Sequence, residues 1–423
     1  MLNGQQQGIR LLSGVRVLDL SDEKGLLCGK ILGDLGADVI KIERPDGDAA
    51  RQIGPFYGEL PDPERSLFWF AFNTNKRSIT LNIETADGKQ IFRRLVERAH
   101  FVIESSPPGY MEKLGLGYEA LSRVNSRIIV VSITAFGQTG PYSNFKGSDL
   151  VCAAMGGMMS TIGEPDRPPL RVGPPHVYLH AAAHGAMGAM IAHYHREIPG
   201  EGQHVDVSAQ HSLILIQSEG ITSWDMQREI LSRSSPFRIR SSTKGLIRIR
   251  IVWPCKDGHV VYTIYGGVLG ATRNRAMVEW MDSERMASDS LKKIDWKIFD
   301  LSQVSPEEMD TIQEEIGKFL VLHTRADLYK GAVERDIMLV PVATAEDVSG
   351  DRQLADRAYW IEMEHPELDA PLVYPGLWTK TNQPLWTAWR RAPLVGEHNQ
   401  EVYEKELGLS KEELCTLKES HVI

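Results

Sequence analysis

At 423 residues and a formal net charge of −9, the chain can bury two or three full apolar cores, and it lacks the basic balance that a nucleic-acid or anionic-membrane partner requires. Hydrophobic residues make up 42% and charged residues 24%, a globular composition with no low-complexity tract. The scattered Cys28, Cys152, Cys255 and Cys415 form no C-x-x-C pair, Met1 to Ser13 has no apolar signal-peptide core, and no apolar run reaches membrane-spanning length, so a cytoplasmic location is expected.

The N-terminal part alternates strand and helix. Val15 to Leu20 (VRVLDL) is an apolar run of strand length, Gly25 to Leu35 has helical periodicity, and Ala37 to Glu43 (ADVIKIE) is a second strand. Strands at Lys76 to Ile83, Phe101 to Glu104 and Arg127 to Thr134, with a helix from Ala86 to Arg98, continue the pattern. This alternation predicts an α/β fold with a Rossmann-like, doubly wound parallel sheet. The first strand-to-helix turn, LSDEKGLLCGK, has no G-x-G-x-x-G, so a dinucleotide cofactor is not expected. After Gln203 to Ser208 and an apolar helix to Glu219, the chain turns polar from Ser223 to Ser242 and then alternates in RIRIVWP and GHVVYTIYGG. The expected domains are 1–225, a large domain with its linker; 226–335, a smaller α+β domain; and 336–423, opening on DIMLVPVATAEDV, a return linker and the rest of the large domain. Helices are expected at Gln400 to Glu406 and Ser410 to Glu419, the latter with Ser410 and Glu413 at capping-box spacing.

The strings LSGVRVLDLS, LGDLGADVIKIE, FNTNKRSITLNI, MEKLGLGYEAL, FGQTGPYSN, GSDLVCAAMGGMMSTIG, GEGQHVDVS, WPCKDGHV and APLVGEHNQEVY span nearly the whole sequence. In their order and spacing the chain resembles the class III CoA-transferases, the formyl-CoA and carnitine CoA-transferase family. The resemblance implies two such chains interlocked like links of a ring, with CoA between the large domain of one and the small domain of the other. In that family a proline-led turn delivers an aspartate onto the start of a small-residue helix, and the helix ends at a Gly-x-Gly-Gln turn. The matching frame here runs from Arg171 to Gln203, and the family spacing back from Gln203 puts the aspartate's place at Tyr178; no carboxylate lies between Arg171 and Arg196. The family aspartate attacks an acyl thioester, forms a mixed anhydride, is recaptured by CoA and passes CoA to a second acid. A phenol, with a reference pKa of about 10, can do neither the anhydride nor the thioester chemistry. The chain is therefore expected to carry no catalytic nucleophile of its own.

The same resemblance implies CoA contacts at Arg44, Leu81, Lys113 and Lys146, with Lys113 standing where formyl-CoA transferase has an arginine and so losing the bidentate fork. Three features depart from the pattern. Glu84 replaces a lysine, Ser105 and Ser106 replace the Asn-Phe of an ENF-x-PG loop, and the turn after the first strand is a residue shorter and lacks LAGP.

Other signals are weighed against plainer readings. His176, His180 and His184 fall at i, i+4 and i+8, a spacing that can chelate a metal, but no carboxylate or cysteine accompanies them, and their alanine-rich flanks point to helix packing; no metal is expected. Asp149 follows Ser148, where the related α-methylacyl-CoA racemases have a catalytic histidine, and their second base also falls at Tyr178. Racemisation needs an acid/base pair, so Asp149 is read as ordering a helix N-terminus. Arg233, Arg238, Arg240, Lys244, Arg248 and Arg250 are read as one solvated strand face. Gly266, Gly267 and Gly270 are read as a turn after a strand.

The resemblance thus implies the non-nucleophilic subunit of a heteromeric CoA-transferase. Its partner would be a homologous subunit carrying the aspartate, its donor an acyl-CoA such as succinyl-CoA, and its acceptor a carboxylic acid such as benzylsuccinate; coenzyme A is substrate, with no permanently bound cofactor. A homodimeric acyl-CoA isomerase or lyase, and a non-catalytic CoA-thioester-binding protein, remain as alternatives.

Overall fold

The structure, a computed structural model, describes residues 11–382 and 389–423. It divides into two compact units: the described residues of Met1–Met158, Arg171–Asp225 and Asp356–Ile423 form the first, and Met159–Leu170 with Met226–Ala355 form the second.

The first unit is built on six parallel strands: β1 (Arg16–Asp19), β2 (Asp38–Glu43), β3 (Lys76–Thr80), β4 (Phe101–Glu104), β5 (Ile129–Thr134) and β6 (His204–Ser208). Their order, β3-β2-β1-β4-β5-β6, is the doubly wound order that reverses between the first and fourth strands. Strands covered on both faces read as continuous apolar runs, and every residue of β4 and β5 is buried. Phe92, Leu95, Leu121, Val130 and Tyr403 share one core of this unit. The helix Ala86–Val96 opens with Thr85 accepting from the Gly88 N–H, and its buried Ile91, Phe92, Leu95 and Val96 follow helical spacing.

Buried charges lock the carboxyl ends of β1 and β2. Lys76 meets Asp19 at 2.8 Å with both side chains fully buried. Lys41 pairs with Asp48 at 2.7 Å and donates to the Ser21 carbonyl at 2.6 Å. Arg51 grips Glu43 through Nε at 2.6 Å and Nη2 at 2.8 Å, donates to the Pro393 carbonyl at 2.9 Å, and lies over Trp69. Burial by itself would raise the Asp19 carboxyl, but Lys76 and Lys41 beside it hold it below the usual carboxylate range. Gly29 is required here, because a Cβ would lie 2.3 Å from Asp19 Oδ2.

The helix Leu67–Asn73 was not legible as an element, since LFWFAFN is apolar all round; it buries Trp69 and Phe70, and Ser66 caps it. Gln400–Glu406 forms a wide π-type turn, whereas Ser410 and Glu413 make the reciprocal capping box at the start of Lys411–Glu419.

The second unit holds a hairpin, Phe237–Ser242 with Gly245–Arg250, and a three-stranded antiparallel sheet of Val252–Cys255, Gly258–Tyr262 and Leu339–Pro341. Trp253, Tyr262, Met277, Trp280 and Phe319 pack its core with the helices Gly267–Ser283 and Pro306–Leu320. Three sequence readings change here. Leu339–Pro341 pairs with Gly258–Tyr262, so the segment from Asp336 to Ala355 lies with this unit and not with the C-terminal return. Gly266 and Gly267 open a 17-residue helix instead of closing a turn. The arginine run also differs from a single solvated face. Arg248 and Arg250 point away from the buried Ile247 and Ile249, but the register sets Arg238 opposite Ile249 and Arg240 opposite Ile247, so guanidinium groups emerge on both faces.

Candidate active site

A cleft of about 1040 Å³ opens at the carboxyl ends of the parallel strands. Its walls are the segments that follow β1 (Leu20, Asp22, Lys24), β2 (Arg44 to Ala49), β3 (Leu81, Ile83), β4 (Ser105 to Pro108, Tyr110) and β5 (Thr134, Ala135), with Ser143 to Gly147 beyond them. A doubly wound sheet leaves its crevice at this place, because the loops diverge where the strand order reverses.

The β1 and β4 loops are clasped across that reversal. The Asp22 N–H donates to Ser105 Oγ at 2.9 Å, and Ser105 Oγ donates back to Asp22 Oδ1 at 2.6 Å. The Lys24 N–H donates to the same Asp22 oxygen at 3.1 Å, and Lys24 Nζ pairs with Asp22 Oδ2. The shortened β1 turn and the serine in the β4 loop, two separate departures in sequence, are thus parts of one contact. Ser106 donates its N–H to Glu104 at 2.7 Å, and burial raises the Glu104 carboxyl pKa.

Tyr178 stands in the first turn of the helix His176–Arg196. That helix presents Ala181, Ala182, Gly185, Ala186 and Ala189 to the interior, and a Cβ on Gly185 would meet Ile133 Cδ1 at 2.9 Å. Pro175 supplies no side-chain cap; instead Asp149 Oδ1 accepts the Tyr178 N–H at 3.1 Å. Asp149 therefore does order a helix N-terminus, that of a neighbouring helix, while Ser148 caps Asp149's own by accepting the Val151 N–H. The Tyr178 hydroxyl donates to the Gly147 carbonyl at 3.4 Å, and the residue is 5% exposed. Burial, with Cys152, Glu23, Asp22 and Asp149 nearby, pushes the phenol pKa well up. The ring is a protonated, buried group behind the cleft wall at Gly147.

Of the residues singled out from sequence, Arg44, Leu81 and Lys146 line this one cleft, as do Ser105 and Ser106. Lys113 is exposed on the short helix Tyr110–Lys113 and is not part of the lining. Glu84 lies 3.6 Å from Arg44 and accepts the Tyr110 hydroxyl at 2.7 Å. Lys24, Asp46 and Tyr110 escaped the sequence reading; a charge or phenol three to six residues past a strand end was the only available signal, and many surface residues share it. The cleft's carboxylates are largely engaged: Asp22 with Lys24 and Ser105, Glu43 with Arg51 and Ser78, Asp48 with Lys41. His176 and His180 have ring centroids 6.2 Å apart, and among the described residues no group of three or more His, Cys, Asp or Glu side chains could hold a metal ion. No described helix is long and apolar enough to cross a membrane.

A parallel sheet of this order with a polar cleft at its carboxyl edge fits many chemistries, and comparison with known proteins narrows them. The family model of CoA-transferase family III matches residues 12–399, and the chain belongs to that family. It is similar to the Succinyl-CoA:(R)-benzylsuccinate CoA-transferase subunit BbsE of Thauera aromatica, at 31% identity over 92% of this chain and 93% of that one. A Succinyl-CoA–D-citramalate CoA-transferase of Chloroflexus aurantiacus is 29% identical over 99% of both. Among solved structures, a CAIB/BAIF family protein from Brucella suis superposes with a TM-score of 0.79 at 25% identity, covering 94% of this chain and 100% of that one. The protein is thus a CoA-transferase of family III, a family whose members act on CoA thioesters.

Proposed function

We propose that this chain is the non-nucleophilic subunit of a heteromeric CoA-transferase that moves CoA from succinyl-CoA to a carboxylic acid, with a homologous partner supplying the catalytic aspartate. Benzylsuccinate, formed in anaerobic toluene degradation, is the acceptor suggested by the likeness to the Thauera subunit. The observation that carries the reading is Tyr178, a buried phenol fixed against Gly147 at the start of the small-residue helix, where the family chemistry requires a carboxylate. Of the positions that match CoA contacts in the family, Arg44, Leu81 and Lys146 line the cleft and would face CoA only if this chain's own site were retained, whereas Lys113 lies outside the lining.

A partner subunit is supported by apolar surface on the same helix. Met187, Ile191 and Tyr194 recur at i, i+4 and i+7 and are 59%, 66% and 78% exposed; Leu215 on the helix Ala209–Ile216 is 66% exposed. A stripe of that width is normally covered by another chain, which accords with an interlocked pair. The test is the mass of the native assembly together with hydroxylamine trapping under succinyl-CoA. A homologous second chain must copurify, and the acylated side chain must lie on it. A clean homodimer, or an acyl group trapped on this chain, overturns the reading.

A further inference from the structure

Three cations line the cleft, and two of them are already committed. Lys24 is paired with Asp22, whose carboxylate is held in place by Ser105 Oγ at 2.6 Å. Arg44 lies 3.6 Å from Glu84, whose Oε1 is held by the Tyr110 hydroxyl at 2.7 Å. Burial and the adjoining Glu84 carboxylate both raise the Tyr110 phenol, so it stays a donor. Each carboxylate is thus fixed by a neutral hydroxyl on one side and takes up a cation on the other. The two triads stand on different loops of the cleft, one on the β1–β4 clasp and one beside the β2 and β3 ends. Only Lys146 has no ion-pair partner among the described residues, and the exposed Asp46 on the same wall likewise has none. The uncommitted charge of the lining therefore sums to zero. A ligand with several phosphate charges meets no net attraction on entering, and it must displace two positioned carboxylates to recruit Lys24 and Arg44.

We propose that Glu84, held by Tyr110, and Asp22, held by Ser105, are specificity-determining residues that weaken the binding of polyphosphate-bearing ligands in this cleft and favour a ligand with at most one anionic group, facing Lys146. The inference rests on reading this chain's own cleft as catalytically silent, and it adds the reason for which CoA would avoid it and occupy the partner's cleft instead.

The test is equilibrium binding to the full-length chain by titration calorimetry, with CoA as the polyanionic probe and pantetheine, which lacks phosphate, as the uncharged one. Glu84→Gln keeps a side chain able to meet Tyr110 but frees Arg44. It should tighten CoA binding about fivefold, the effect of one unscreened charge near a partly solvated phosphate, and leave pantetheine unchanged. The gain should shrink as salt rises. Asp22→Asn, in which the amide oxygen still accepts from Ser105, should add a similar factor through Lys24. Unchanged CoA binding in both variants, an equal gain for pantetheine, or CoA binding to wild type more than tenfold tighter than pantetheine would each overturn the proposal. Failure of both probes to bind either variant would do so as well, since charge would then not be what excludes CoA. None of these outcomes bears on which subunit is acylated in the hydroxylamine experiment, so the two readings fail separately.

Discussion

Tyr178→Asp asks whether a carboxylate at the proposed nucleophile position creates a second active site. The side chain it replaces is 5% exposed, and after burial the groups that bear most on it are Cys152, Glu23, Asp22 and Asp149. An introduced carboxyl would inherit that surrounding. Full burial raises carboxyl pKa values by up to about 3–5 units. A rise of about 3 units from about 3.9 puts the group near neutrality and costs about 4 kcal/mol to ionise in place, at about 1.4 kcal/mol per unit. The carboxylate is the attacking species, so a pKa near neutrality leaves about half of the introduced group protonated and unreactive at neutral pH, and Asp149, whose Oδ1 is already spent on the backbone N–H of position 178, adds repulsion that lowers the reactive fraction further. Loss of the buried ring should also destabilise the chain by about 3 kcal/mol. The assay is intact-mass analysis of the assembly after succinyl-CoA and hydroxylamine, alongside steady-state CoA transfer. The variant assembly is expected to keep the wild-type rate per assembly and to show no adduct on this subunit. An adduct at position 178, or a doubled number of active sites, would refute the argument that the pocket around it has been remodelled.

Lys76→Met leaves Asp19 as an unpaired buried carboxylate and should cost about 3–5 kcal/mol, read by urea unfolding of the full chain. In the wild type the Asp19 carboxyl is depressed in the folded state, so its contribution is complete above the unfolded value of about 3.9 and is lost as pH falls through the lower folded value. An acid unfolding limb identical in wild type and Lys76→Met would contradict that assignment. Asp149→Ala removes the acceptor of the Tyr178 N–H and should lower stability by about 1 kcal/mol, with no effect on the partner's turnover. Ile191→Glu puts a charge in the exposed Met187–Ile191–Tyr194 stripe; it should leave the secondary structure of the isolated chain intact while abolishing recovery of the partner by pull-down. Wild-type recovery would remove this face from the interface.

The sequence by itself determined the parallel sheet. VRVLDL, ADVIKIE and RIIVVSIT are strand-length, largely apolar runs between helical periods, the composition that strands covered on both faces favour. It also showed that residue 178 is a tyrosine and that no carboxylate lies between Arg171 and Arg196. The Ser410 cap was legible because capping is a contact over three residues. Tertiary structure decided what depends on distant partners. Ser105 read as an isolated departure until its hydroxyl met Asp22, 83 residues earlier in the chain. Asp149 reads as ordering a helix N-terminus, and only the structure shows that its carboxylate serves the helix of Tyr178, 29 residues on. Arg238 and Arg240 read as lying on one face with Arg248 and Arg250 until the hairpin register set them on the opposite one. Periodicity fixes which face of an element is buried, whereas the geometry of side chains brought together from separate loops is set only when the chain closes on itself.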